Sequence, residues 1–257
     1  MMGDITMTQR QSKQSGLALC FIVFSVILTA ILLLFWWTMY RFSPGAETDI
    51  AIDAQNSLTV ILDAGHGGED GGAVSAGGVR EKDLNLMIVK EMEAYLSGKG
   101  YRVICTRTED VLLYDRNVDY KGRKKVLDLA ARLKISRETD NSIFVSIHMN
   151  SFPQTQYRGL QVYYSPNHAD SAELASLIQN EVRTRLQPEN SRATKAASSN
   201  IYLLDRITTP AVLVECGFLS NAEECRLLCD EAYRKELSLI LSDAIMEFIN
   251  QQVTKTS

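Results

Sequence analysis

Runs of consecutive apolar residues alternate along this chain with stripes of apolar residues at helical spacing. The runs are Leu58–Leu62, Tyr101–Thr106, Ile143–Ile147, Leu160–Tyr164, Ile201–Leu204 and Ala211–Glu215. Their length and β-branched content fit strands covered on both faces. The stripes fall between them. Leu84, Ile88, Met92, Tyr95 and Leu96 form one, and Val126, Leu129 and Leu133 a second. Leu174, Leu177, Ile178 and Val182 form a third, and Leu237, Leu241, Ile245 and Phe248 the last. Each presents one apolar face of a helix. Asp170, Ser171 and Glu173 are expected to cap the start of the third. Strands alternating with helices predict an α/β fold: a single domain with a central, largely parallel twisted sheet of about six strands, flanked by helices. In such sheets ligands sit beyond the carboxyl ends of the strands.

One apolar stretch does not belong to that pattern. Leu17 to Tyr40 carries no charged residue and has no polar face, which argues against a buried core helix. A bilayer needs about 20 apolar residues to be crossed. Arg10 and Lys13 precede the stretch, while Glu47, Asp49 and Asp53 follow Arg41 on its other side. The positive-inside rule then gives a cytoplasmic N-terminus over 1–16, a transmembrane anchor over 17–40, a linker over 41–57 rich in Pro, Gly, Asp and Ser, and an extracytoplasmic domain over 58–257. A cleaved signal peptide is the competing reading. Its apolar region is usually only about 7–15 residues long, and Trp36, Trp37 and Tyr40 suit an interfacial belt.

The chain has 257 residues and a formal net charge of −4, with Lys and Arg scattered. That excludes the basic surface a nucleic-acid binder needs. Without the N-terminal stretch, about 200 residues remain, enough for one packed domain. Of five Cys, Cys20 lies in the apolar stretch, and Cys105 and Cys216 fall in predicted strands as small apolar residues. Cys225 and Cys229 share a helix face, but their spacing is not that of a structural zinc knuckle. A domain of this size needs no disulfide framework.

Candidate chemistry gathers at the strand ends. Residues 61–74 read Ile-Leu-Asp-Ala-Gly-His-Gly-Gly-Glu-Asp-Gly-Gly-Ala-Val, a strand that stops at a glycine-dense turn holding His66. His148 follows the run Ile143–Ile147. The only other histidine, His168, falls in a loop before a helix and reads as a surface residue. Glu81 opens the first amphipathic helix; two His and one carboxylate with a water make a standard catalytic zinc set. Glu215 ends an apolar strand, where a carboxylate is costly unless paired or functional. It reads as a general base or as a hydrogen-bonded structural acid. Asp63 abuts the glycine turn, placed to orient His66 or to hold the loop. Asn150 and Ser151, just past His148, are candidate substrate-binding groups, as are the cations Arg192 and Lys195. A solvated loop accounts for those four nearly as well.

Four stretches together resemble the zinc-dependent N-acetylmuramoyl-L-alanine amidases of bacterial cell-wall metabolism. They are Leu-Asp-Ala-Gly-His66-Gly-Gly, Arg-Glu81-Lys-Asp-Leu-Asn-Leu, Phe-Val-Ser-Ile-His148-Met-Asn-Ser and Pro-Ala-Val-Leu-Val-Glu215-Cys-Gly-Phe-Leu-Ser-Asn. They run in the family's order from about Leu58 to the end of the chain. The chain departs from the family at Ala64, usually proline, and at Cys216, usually a branched apolar residue. The resemblance implies Zn²⁺ held by His66, Glu81 and His148, with Glu215 as the catalytic carboxylate. It implies peptidoglycan as substrate, cut at the amide between the lactyl group of muramic acid and L-alanine. One domain behind a membrane segment, without wall-binding repeats, most resembles the spore-cortex members, which make the muramic-δ-lactam precursor. The catalytic domain would then face the intermembrane space of the forespore. The need for an activating protein partner stays open. Two rivals stand beside this reading: a zinc peptidase acting on the stem peptide, and a non-catalytic wall-binding protein. The second would require loss of one of the four site residues, and none is lost.

Overall fold

The computed structural model describes residues 25–38, 58–115, 117 and 120–256. The chain divides into two compact units, Met1–Ala51 and Ile52–Ser257. In the first, residues 25–38 form helix α1, its apolar side chains exposed, Leu33 at 67% and Trp36 at 70%. Among the described residues no helix is long and apolar enough to cross a membrane. Helix α1 is part of the 17–40 stretch. The rest of that stretch, the segment 1–16 and the linker 41–57 lie outside the described residues.

In the second unit the central strands are β-branched and apolar runs whose side chains are covered on both faces of a sheet, while a two-residue edge strand is exposed. The strands are β1 (Thr59–Ala64), β2 (Arg102–Cys105), β3 (Ser142–Asn150), β4 (Gln161–Tyr164), β5 (Lys195–Ala196) and β6 (Ala211–Phe218). They make one six-stranded sheet in the order β2-β1-β3-β6-β4-β5. All pairs are parallel except β4 with β6. The helices are α2 (Glu81–Gly98), α3 (Lys124–Glu138), α4 (Asp170–Arg185), α5 (Ala222–Cys229) and α6 (Glu231–Thr256). This is a single α/β domain with a mostly parallel sheet.

Two apolar layers sandwich the sheet. On one face, Leu84, Ile88 and Met92 of α2, Leu174 and Ile178 of α4, and Leu241, Ile245 and Phe248 of α6 pack on Val60, Leu62, Val145 and Val214. The other face is thinner: Leu133 of α3 with Leu203, Leu204 and Ile207 covers Ile61, Phe144 and Ala211. The functional site develops on this thinner side.

Three sequence expectations need correction. Ile201–Leu204 is no strand. Its backbone closes on itself through Ile201 N–H to Ser198 O and Ile207 N–H to Leu203 O, making turns that push Leu203 and Leu204 into the thin core layer. A short apolar run marks burial but does not choose between strand and turn. The sixth strand is instead the two-residue edge strand β5. Val126 does not share α3's buried face; it is 55% exposed, and Asp128, Arg132, Leu133 and Ser136 are the buried residues. The expected caps of α4 do not form. No side chain of its N-cap accepts a bond, Asp170 N–H donates to His168 Nδ1, and Ser171 Oγ accepts from Ala211 N–H on β6.

Candidate functional site

Register brings the candidate groups together. In β3 and β6, His148 and Glu215 are direct partners, so their side chains leave the same face. Asp63 of β1 pairs with Ser146 of β3, and His66 lies two residues past the end of β1. Glu81 opens α2 and turns inward, 3% exposed.

The glycines make the convergence sterically feasible. A Cβ at Gly65 would fall 2.3 Å from the His148 ring. One at Gly72, whose φ is +66°, would fall 2.4 Å from Glu81 Oε2. His66 itself adopts φ +62°, a left-handed conformation that costs a non-glycine residue about 1 kcal/mol or more. The turn is held there by paired bonds between Gly67 and Asp70, each N–H donating to the other's carbonyl at 3.0 Å.

Two buried arginines clamp the same turn. Arg132 Nη1 donates to Asp63 Oδ1 at 2.5 Å and Ala64 O at 2.7 Å, and its Nη2 to His66 O at 2.7 Å. Its Nε donates to Asp128 Oδ2 at 2.8 Å. Arg107 donates to Ala64 O, Gly65 O and Lys82 O, at 2.9, 3.0 and 2.8 Å. Asp63 also accepts from Thr106 and Ser146 hydroxyls at 2.7 and 2.6 Å. Of its two readings from sequence, Asp63 therefore holds the loop. Burial would raise its pKa, but the Arg132 charge and the two hydroxyls outweigh burial and lower it.

At the centre, Glu81 Oε1 lies 2.8 Å from His148 Nδ1 and 3.2 Å from His66 Nε2. Backbone N–H groups of Met149 and Ala73 donate to Glu81 as well, at 3.1 and 2.7 Å. Burial opposes its charge, yet the two histidines hold its carboxyl far below the usual range. His66 is raised, because Glu81 and Asp70 outweigh the burial that would lower it. Asp70 Oδ2 stands 3.0 Å from His66 Nδ1, but that buried nitrogen has no aligned hydrogen-bond acceptor.

One ligand-type atom from each of His66, Glu81 and His148 lies within 4.8 Å of the others, the sole such trio or larger group among the described residues. Two imidazole nitrogens, one carboxylate oxygen and a backbone cradle that locks the carboxylate fit a zinc ion with an open position. Glu215 faces this trio. Its Oε2 is buried and has no hydrogen-bond partner, and burial pushes its pKa up to about 7, with Glu81 adding to the rise and both histidines opposing it. Above the trio a cavity of 240 Å³ is lined by His66, Asp70, Lys125, His148, Asn200 and Tyr202, among others.

The remaining candidates scatter. Asn150 ends β3, and its Oδ1 accepts from Ser151 N–H; Ser151 is exposed. Arg192 Nη1 donates to Gln161 Oε1, whose residue pairs with Glu215 across β4 and β6. Lys195 sits exposed on the edge strand β5. His168 is a local helix-start acceptor, remote from the trio in its contacts. Cys105, Cys216, Cys225 and Cys229 are free thiols, and burial raises Cys216 and Cys105 well above the usual thiol range.

Sequence reading missed Arg107, Arg132, Asp128 and Asp70. Asp128 and Arg132 did leave a signal: they stand four apart on a helix whose apolar stripe is short.

A family model described as N-acetylmuramoyl-L-alanine amidase matches residues 60–247. A germination-specific N-acetylmuramoyl-L-alanine amidase of Bacillus subtilis is 32% identical over 228 residues, spanning 89% of this chain and 94% of that protein. The CwlD amidase of Clostridioides difficile, solved in complex with the GerS lipoprotein, is 38% identical and superposes with a TM-score of 0.71 over 75% of this chain and 98% of its own. The amidase AmiC2 of Nostoc punctiforme is 29% identical with a TM-score of 0.64, over 76% of this chain and 98% of its own.

Proposed function

The chain belongs to the N-acetylmuramoyl-L-alanine amidase family, and from that premise we propose that it is a zinc hydrolase cutting the bond between the lactyl group of N-acetylmuramic acid and L-alanine of the stem peptide. The observation that carries this reading is the convergence of His66, Glu81 and His148 with Glu215 placed cross-strand from His148.

His66, Glu81 and His148 would hold the zinc. Bound there, zinc supplies Lewis acidity toward a water and toward the substrate carbonyl. The chain's own groups do the rest. Ala73 and Met149 N–H fix both Glu81 oxygens. The Arg132 and Arg107 clamps keep the His66 turn from relaxing. Glu215 Oε2, buried and without a partner, takes a proton from the attacking water. As the carbon–nitrogen bond breaks, Glu215 gives that proton to the alanine nitrogen, which leaves as an amine. A carboxyl whose pKa lies near neutrality suits both transfers. No serine or cysteine nucleophile is needed, since water is the attacking group.

We assign the chain to spore-cortex peptidoglycan and muramic-δ-lactam formation. Support comes from its likeness to the germination-specific amidase and to CwlD. The complex of CwlD with a lipoprotein supports a protein partner here. The apolar stretch 17–40 is proposed as a membrane anchor with the domain outside the cytoplasm.

The test is mass spectrometry of purified peptidoglycan incubated with the zinc-loaded protein. Released stem peptides with a free L-alanine amine are expected. Peptides cut between amino acids would instead indicate a zinc peptidase, and intact peptidoglycan a non-catalytic role.

A further inference from the structure

Residues 151–160 carry the chain from the end of β3 to the start of β4, at the strand ends where His148 and Glu215 stand. In sheets of this kind that edge receives the ligand. Residues 151–158 are all exposed. Phe152 is 46% exposed and Tyr157 44%, two of the three exposed aromatic rings among the described residues of the catalytic domain. Their ring centres lie 5.6 Å apart, and both rest on the buried ring of Phe218, at 5.9 and 6.3 Å.

Register puts this cluster on the side of the sheet that bears the site. On β3, Asn150 lies two residues past His148, so both side chains leave the same face. Phe218 pairs with Asn150 as Glu215 pairs with His148. Between those pairs β6 uses three residues where β3 uses two, and the bulge returns Phe218 to the face of Glu215. Arg192 agrees with this placement: it donates to Gln161, the cross-strand partner of Glu215, and its guanidinium lies 4.5 Å from the Phe218 ring centre. At about 3.3 Å per residue, three residues put Phe218 roughly 10 Å along the strand from Glu215.

The cluster is pinned from below. Phe152 N–H donates to Ser220 Oγ at 3.0 Å, Asn221 Nδ2 to Thr155 O at 2.9 Å, and Gly159 N–H to Glu224 Oε1 at 2.7 Å. The segment that enters α5 thus holds the loop at its start, middle and end. Two large rings kept in water on a fixed loop mark a surface that another molecule covers.

The residues around the rings say what kind of molecule. Residues 151–157 read Ser-Phe-Pro-Gln-Thr-Gln-Tyr, with amides and hydroxyls but no charge. An apolar partner would leave those amides unpaired, which is costly. A charged peptide would find no counter-ion in that stretch. A sugar ring offers both complements: a face of C–H groups to lie on an aromatic ring, and hydroxyl and amide groups at its edge for Gln154, Thr155 and Gln156. The reaction supplies such rings. The amide that is cut hangs from the lactyl arm of a muramic acid, so the glycan strand passes close to Glu215.

We propose that Phe152 and Tyr157 form a stacking subsite for the sugar ring next to the muramic acid whose amide is cut. The proposal rests on the amidase reading and extends it from the stem peptide to the glycan strand.

The experiment compares muropeptides that carry the same stem peptide on one, two and four sugar rings, cut by the full chain loaded with zinc. kcat/KM should rise with glycan length, by about two- to tenfold for the ring that reaches the platform. Phe152→Ala and Tyr157→Ala should each flatten that rise, whereas Phe152→Tyr, which keeps a stacking face, should retain it. Each comparison is a ratio within one protein, so a fraction of misfolded chain cancels. Calorimetry of the peptide-free tetrasaccharide on metal-stripped protein reads the same subsite without turnover: wild type binds it, and both alanine variants bind it more weakly. A kcat/KM independent of glycan length, or a rise that survives in both alanine variants, would overturn the proposal. So would alanine variants that lose affinity for the free stem peptide while keeping the tetrasaccharide, since the rings would then hold peptide. If the amidase reading alone fails, none of the muropeptides is cut, while the tetrasaccharide still binds through the two rings.

Discussion

Two carboxylates that meet the same histidines are shifted in opposite directions from the ordinary carboxylate range. Glu81 is held ionised by His148 and His66 against its burial, whereas Glu215 is raised to about 7 because burial prevails there. Their amides should therefore behave differently. Glu215→Gln keeps its shape and its zinc but loses turnover by about 10²- to 10⁴-fold. Glu81→Gln loses zinc first, with activity partly restored by excess metal. Metal content measured beside stem-peptide release separates the two. Near wild-type turnover in zinc-loaded Glu215→Gln would move the base to another residue. The raised Glu215 also makes a stability prediction for metal-free protein. Its folded state prefers the proton-bound form, so this group's stability is full below its ordinary value of 4.5 and is lost as pH rises through about 7. Metal-free Glu215→Gln should match wild type in urea near pH 4.5 and exceed it by about 1–3 kcal/mol at pH 8. An unchanged gap between the two pH values would count against the burial argument.

At the scale of elements, α3 serves the site through its polar side. Arg132 and Asp128 are buried where an amphipathic helix normally places leucines, and they tie α3 to the ends of β1 and the His66 turn. Arg132→Met leaves Asp63 buried without its cation, a loss of about 3–5 kcal/mol. Because Asp63 is held below its ordinary value, its stabilising share is present above about pH 3.8 and disappears as pH falls further. Without Arg132 that share shrinks, and the less stable variant should unfold in acid at a higher pH than wild type. Acid titration followed by circular dichroism reads the shift; an unmoved acid midpoint would show that Asp63 is stabilised by its two hydroxyl partners alone. The same variant should bind zinc about 10- to 100-fold more weakly, as is usual when the groups behind metal ligands are removed. Helices α2, α4 and α6, by contrast, were legible from their stripes. Apolar spacing reports burial directly, and apolar residues such as Ile88, Ile178 and Ile245 make up most of their buried faces.

At the scale of the whole molecule, the N-terminal unit and the catalytic domain make separate predictions. Deleting residues 1–40 should release the protein from membranes in a flotation gradient without changing kcat/KM on soluble muropeptides. A deletion variant that still floats would place the membrane contact in the catalytic domain.

Much of this molecule is written locally. Strand runs, helical stripes and the glycine turn are consequences of neighbouring residues, so the α/β class and the four motif-bearing residues His66, Glu81, His148 and Glu215 stood out along the chain. Chain order alone could not bring them together. The pairing of His148 with Glu215 is a matter of sheet register, and the inward turn of Glu81 depends on two backbone N–H groups, one from the nearby glycine turn at Ala73 and one from Met149, 68 residues away. Ile201–Leu204 shows the same limit from the other side: four apolar residues announce burial, but the thin core layer they fill chose a turn. Arg107 and Arg132 were hidden because an arginine reads as surface until the carbonyls that satisfy it are in place. Those carbonyls, of Ala64, Gly65 and His66, lie 42 to 68 residues away in sequence, and only the folded sheet puts them within reach.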